Sequence, residues 1–442
     1  MNRREFIKTA VLFLFAVTFV FNAYSQYKTD YKNPKLPVEY DDTKYIILNC
    51  APNRGMRQEN PETINRANFE EIVKTFTQPD NSKVKVGISF IFSPFRTSSE
   101  NTVAALKNFL CTAEELSVPI MVHLDFEQWW GARPDLWNWW DPSRHGYNPA
   151  NRENVEWTHW SPDYAIKIAW RNWGSQIRVL PPPNLASPRY MEACREQLRL
   201  LTPIMAKWYQ ALPANKKYIF VAVKVGHESS LGVNAYYYPN GNELLDKPES
   251  ADPKTGLIGQ DVLSRGVQQI GYATIKTSGI RTSGDITEWD LYEATRMYLE
   301  FLCREIAQYG ISRDKLFTHG AGWRDGELLY EAALNDYSCP GWSFYAHAKD
   351  PMKEPAVIRS LARSDAPYWG AVEWLLMEGM DSESQTQYSV VSEKKAIWKS
   401  ALENTLSDKR ARIVCIFNWD GIRNNSTAKL AIQEVVDEGG FH

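Results

Sequence analysis

The stretch YIFVAVKVGHES, Tyr218 to Ser229, is an apolar run that stops abruptly on Gly226, His227 and Glu228. A short continuous run of this kind, rich in β-branched residues, fits a parallel strand buried on both faces. A second run, YWGAVEW from Tyr368 to Trp374, ends in the same way on Glu373. A carboxylate on the last turn of a buried strand sits where apolar packing stops and chemistry can begin. Two such strands in one chain set both the expected fold and the place to look for function.

Further apolar runs lie at Tyr45–Cys50, Val84–Phe92, Pro119–Leu124, Leu316–His319, Trp342–His347 and Ile413–Trp419, which brings the strand count to eight. Helical patterns separate them at Ala67–Phe76, Asn101–Leu116, Pro188–Leu212, Glu288–Tyr309, Glu327–Asn335, Glu393–Leu406 and Lys429–Val436. Ser99 or Asn101 is the expected cap of the second helix. Eight strands alternating with helices predict an α/β fold, a (β/α)8 TIM barrel. A doubly wound open sheet would alternate similarly, but no Gly-rich phosphate loop follows the first strand. Two long connections, Asp125–Leu185 and Ser229–Thr287, are expected at the C-terminal face, where long loops are usually functional.

Residues two apart on a strand share a face. By that rule Ala222, Lys224, Gly226 and Glu228 group together on the fourth strand, and Trp369, Ala371 and Glu373 on the seventh. His123, Asp125 and Glu127 group at the end of the third, Tyr345 and His347 at the sixth, Phe417 and Trp419 at the eighth. Each set turns polar or aromatic toward the C-terminal end of its strand, the active face of a barrel.

The chain has 442 residues and a formal net charge of -3, which makes no electrostatic case for nucleic acid or an anionic membrane. Arg3 and Arg4 precede an apolar run from Ala10 to Phe21, and Ala23-Tyr24-Ser25 offers small residues for cleavage. Residues 1–25 therefore read as a cleaved signal peptide and 26–442 as a single barrel domain, exported to the periplasm or cell envelope of a bacterium, with no membrane span in the mature chain. The cysteines at 50, 111, 194, 303, 339 and 415 are scattered without metal-ligand spacing. No metal and no cofactor is expected, and nothing in the sequence speaks to oligomeric state.

Opposed carboxylates and 17 Trp residues suit glycoside hydrolysis. One carboxyl protonates the leaving oxygen while the other attacks the anomeric carbon or activates water. The pair is held about 5–5.5 Å apart in retaining enzymes and about 6.5–9.5 Å apart in inverting ones. The tryptophans at 129, 130, 137, 139, 140, 157, 160, 170 and 173 lie in one stretch and could form a sugar-stacking wall or the core of a loop subdomain. In His123-Leu124-Asp125-Phe126-Glu127-Gln128-Trp129-Trp130 a second carboxylate pair stands beside two of them. Trp374 and His319 are further candidates to line a sugar site.

With glutamates ending strands four and seven, the chain resembles the retaining glycoside hydrolases of clan A. The resemblance implies Glu228 as acid/base and Glu373 as nucleophile. It also implies substrate contacts from Arg96 after strand two, His123 at the end of strand three and an aromatic platform at Trp419, with Tyr345 bonding the nucleophile. His227 departs from the clan, which usually has Asn there to bond the sugar 2-hydroxyl. The function expected is hydrolysis of a β-linked oligo- or polysaccharide by a two-step covalent route. Two alternatives stay open: a barrel glycosidase using Asp125 and Glu127, and a non-catalytic glycan-binding protein of the envelope.

Overall fold

The computed structural model describes residues 42–50, 55–79, 82–172, 176–232, 235–237, 268–321, 328–345, 347–376 and 394–439. The expected signal peptide, Trp173, and the rim turn after Tyr237 lie outside the described residues. The strands, in chain order, are β1 (Lys44–Cys50), β2 (Val84–Phe92), β3 (Ile120–Leu124), β4 (Ala169–Asn172), β5 (Gln176–Val179), β6 (Phe220–Ser229), β7 (Ala235–Tyr236), β8 (Leu316–Gly320), β9 (Gly341–Phe344), β10 (Trp369–Trp374) and β11 (Ala411–Ile416). Eight of them close into a barrel in the order β1-β11-β10-β9-β8-β6-β3-β2. Every pairing around the ring is parallel. The TIM barrel expected from the alternation of runs is the fold observed.

Two apolar layers explain the continuous hydrophobicity of these strands. One fills the barrel interior and includes Tyr45, Ile47, Met121, Ala222, Phe317, Val372 and Cys415. The other lies between strands and helices and includes Ile46, Leu48, Val223, Val225, Trp342, Trp369 and Trp374. Alternate residues thus enter alternate layers, and neither face meets water. The layers pack against α1 (Arg66–Thr75), α2 (Ser99–Leu116), α3 (Pro188–Ala211), α4 (Tyr272–Thr277), α5 (Glu288–Ala307), α6 (Pro355–Arg363), α7 (Lys395–Ser407) and α8 (Ser426–Glu438). Their starts are set by side chains that accept orphan backbone N–H groups. Asn65 caps α1, and Thr287 with Asp290 forms a capping box on α5. Ser98, not Ser99 or Asn101, caps α2, because its Oγ accepts from Asn101 N.

Some expected elements differ in extent or type, among them the strand expected to reach His347, which ends at Phe344. The apolar run expected to reach Trp419 stops as a strand at Ile416, where Asn418 takes a left-handed φ of 65° and a short helix opens at Trp419. The helix expected over Glu327–Asn335 is a single 3-10 segment, Leu328–Ala333. The connection after β3 builds a small antiparallel sheet, β5-β4-β7, with a strand from the connection after β6. No helix among the described residues is long and apolar enough to cross a membrane.

Candidate active site

Backbone irregularities, more than simple alternation, aim the two glutamates. On β6, Gly226 has φ 84° and Glu228 φ 54°. A Cβ at Gly226 would stand 2.4 Å from Ser229 Oγ and 2.8 Å from Leu299 Cδ2, so glycine is required there twice over. A left-handed glutamate is strained, a condition that clusters at functional sites. The β6–β8 register shifts over the same residues, between Val225 and Ser229. On β10 the register with β9 shifts between Ala371 and Glu373, and that with β11 between Ala371 and Trp374. Trp369 and Ala371 pack in the outer layer and Val372 in the inner one. The expected grouping of Trp369, Ala371 and Glu373 on one face is therefore wrong. A bulge follows Ala371, and it re-aims Glu373 inward, as bulges beside active sites do.

The result is a tight buried constellation. One ligand-competent atom from each of Glu228, His319 and Glu373 lies within 4.8 Å of the others. Both glutamates are 3% exposed. The Tyr345 hydroxyl donates to Glu373 Oε1. Glu373 Oε2 accepts no hydrogen bond from the described residues and lies 3.9 Å from both His227 Nε2 and His319 Nε2. Burial pushes the Glu228 carboxyl up to about 8, and the charge of Glu373 pushes in the same direction against His227, Ser343 and Arg171. Glu228 therefore keeps its proton at neutral pH beside a second carboxylate.

Behind the pair stands a layer of imidazoles. His123 Nε2 meets Gly226 O at 2.7 Å, so it carries the proton and donates. His319 Nε2 is 2.8 Å from Ser343 Oγ. Burial, then the Lys224 charge, hold both rings well below the usual histidine range, so they are neutral. His227 behaves oppositely. Burial pulls it down, but the Asp125 hydrogen bond, at 3.1 Å from Nδ1, and the charges of Asp125, Glu373 and Glu228 bring it above its ordinary value.

The second carboxylate pair is tied into the scaffold. Asp125 Oδ1 accepts from the backbone N–H groups of Glu127 and Gln128, and Oδ2 faces His227 and the Ser93 hydroxyl. Glu127 Oε1 accepts from His227 N at 2.9 Å and from Ser229 Oγ at 2.5 Å. Burial raises the Glu127 carboxyl to about 7. These bonds fix His227 in place.

Several expected substrate contacts fall elsewhere. Trp374 is 0% exposed, packs on Trp398 and donates to Ala348 O, because it follows Glu373 on the strand and so faces the helices. Trp130 is 1% exposed, lies edge-on to Tyr190 and donates to Pro181 O. Trp419 is 4% exposed and packs near Phe76, since the strand ends before it. None of the three has a free face for a sugar. Trp137, Trp157 and Trp170 are likewise buried, so much of the tryptophan stretch is the core of the insertion. Trp129 is half-buried under the Arg96 guanidinium, which also pairs with Glu59 at 2.5 Å. His347 turns away toward Glu354, 3.1 Å distant.

Two site residues, Arg171 and Ser343, escaped the sequence reading, and a third, Lys224, was grouped with Glu228 but given no role. Buried Arg171 comes from β4 of the insertion and acts electrostatically on Glu127, Asp125 and Glu228. Ser343 on β9 bonds both His319 and Glu228. Buried Lys224 donates from Nζ to Val372 O at 3.0 Å. A lysine in the middle of an apolar run was a legible signal, whereas Arg171 and Ser343 carried none.

No family model matches the sequence, and no curated protein matches it. Among solved structures, the catalytic domain of a β-amylase from Paenibacillus polymyxa is similar at 9% identity and TM-score 0.46, over 91% of this chain and 100% of that one. A broad-specificity endoglucanase from an uncultured bacterium is similar at 7% identity and TM-score 0.39, over 86% and 85%. A glycoside hydrolase family 5 enzyme from Prevotella bryantii, solved with a xyloglucan tetradecasaccharide, is similar at 9% identity and TM-score 0.38, over 89% and 96%. Likeness at this level says nothing of substrate or reaction.

Proposed function

We propose that the chain is an exported retaining glycoside hydrolase acting on a β-linked glycan. One observation carries the reading: carboxylate oxygens of Glu228 and Glu373 lie within 4.8 Å of each other, buried at the C-terminal end of the barrel. Oxygens this close are compatible with the retaining separation of about 5–5.5 Å, shorter than the about 6.5–9.5 Å of an inverting pair, and we take the retaining reading. Glu373 attacks the anomeric carbon while Glu228 gives its proton to the departing glycosidic oxygen. Glu228, now ionised, takes a proton from water, whose oxygen displaces Glu373 from the sugar. The Tyr345 hydroxyl orients the attacking carboxylate. His227, locked by Asp125, offers an N–H near Glu373 where a sugar hydroxyl would lie. Export rests on the basic and apolar N-terminal segment alone.

The test is turnover on a panel of β-linked glycans. The account expects hydrolysis by the wild type and losses on the order of 10^2- to 10^4-fold or more in Glu228→Gln and Glu373→Gln with unchanged thermal unfolding. Glycan binding without hydrolysis on any substrate would favour a binding protein. Activity that survives in both variants and dies in Asp125→Asn or Glu127→Gln would move the chemistry to the other pair.

A further inference from the structure

Lys224 has no place in the mechanism above, yet it is buried completely in the barrel interior. Its ladder partners are His123 on β3 and Phe317 on β8. Around the ring β8 and β9 separate β6 from β10, so the bond from Lys224 Nζ to Val372 O at 3.0 Å crosses the inside of the barrel. Val372 is the residue that the β9 and β11 ladders both skip, and Glu373 follows it. The ammonium thus grips the bulge that turns Glu373 into the mouth.

We propose that Lys224 is a positioning residue for Glu373: it ties down this bulge and places a positive charge beneath both glutamates. The proposal rests on the glycosidase reading. Burying an ammonium is costly unless opposite charge compensates it. Burial, the largest effect, holds the Lys224 amine below its ordinary value, and Cys415, Glu373, Glu228 and Asp125 act against that pull. Among the described residues, His123 and His319 also feel this charge, which helps to hold both neutral. Tyr345 donates to Glu373 from beyond β9. One cation shared by two carboxylates lets the pair carry a single proton, on Glu228, while the other stays ready to attack.

The experiment compares Lys224→Met, which has neither charge nor donor, with Lys224→Gln, which keeps a donor. Expected are a KM within about twofold of wild type, a kcat at least about tenfold lower, and both limbs of the kcat/KM profile moved roughly one pH unit upward. Partial recovery of kcat in Lys224→Gln is expected from its donor. A lower kcat with unmoved limbs would mean a structural role only, and would overturn the proposal, as would wild-type kinetics. If neither variant folds, ¹⁵N NMR of lysine-labelled wild type decides: a Lys224 NH3+ signal near neutral pH supports the proposal and a neutral amine overturns it. Glu373→Gln separates the two ideas. Activity in that variant sinks the glycosidase reading, whereas an inactive Glu373→Gln beside a normal Lys224→Met sinks only the role of Lys224.

Discussion

At the scale of single residues, the fold treats two neighbouring glutamates unequally. Glu228 is pushed to about 8 first by burial and then by the Glu373 charge. Replacing Glu373 with Gln removes the second cause and leaves the first. Carboxyl ¹³C NMR should then find Glu228 titrating below about 8 yet still above 4.5. Titration unchanged from wild type would contradict the pairing. Tyr345→Phe removes a hydrogen bond to a charged oxygen, and kcat should fall about 10- to 100-fold with little change in KM. Both glutamates were legible in the sequence because an acid ending an apolar run has few reasons to be there. The roles of Arg171 and Ser343 were not, since each reaches the site through a fold that brings distant segments together. Tryptophan misled: the same large ring suits a sugar platform and a core, and Trp130, Trp374 and Trp419 are core.

At the scale of elements the strands carry the site through their faults. Eight apolar runs were visible, and the barrel follows from their number and alternation. The bulge after Ala371 was not visible, because a register shift arises from pairing with β9 and β11 and leaves no mark in one strand's own residues. The β9–β10 seam is tight there. A Cβ on Gly341 would stand 2.4 Å from Thr318 O and 2.6 Å from Val372 Cγ1. Gly341→Ala should therefore cost about 1–3 kcal/mol of stability by chemical denaturation and lower kcat as Val372 shifts. Trp374→Ala should cost about 3–5 kcal/mol, and any surviving folded enzyme should keep its KM, which separates a core tryptophan from a sugar platform.

The molecule as a whole stores protons. Burial raises Glu127 and Glu156 to about 7 and Glu228 to about 8, from an ordinary value of 4.5. Glu156 does so while accepting N–H groups at the start of α4. Above their unfolded values the native state binds more protons than the unfolded chain, so stability falls as pH rises through the folded values. Neutral buried His123 and His319 act in the opposite sense, but only below about 6.5, where unfolded histidine charges. The melting temperature should thus drop between about pH 6.5 and 8, and Glu156→Gln should flatten part of that slope in calorimetry. A melting temperature that rises over this interval would contradict the burial of these carboxyls.

The proposed pair of Glu228 and Glu373 works by a two-step reaction that keeps the configuration of the starting bond. Proton NMR of the first sugar released from a cleaved β-linked substrate tests it most directly, read before mutarotation. The account predicts a β-anomer, the configuration of the starting bond. An α-anomer as the first product would mean one-step inversion and would contradict it.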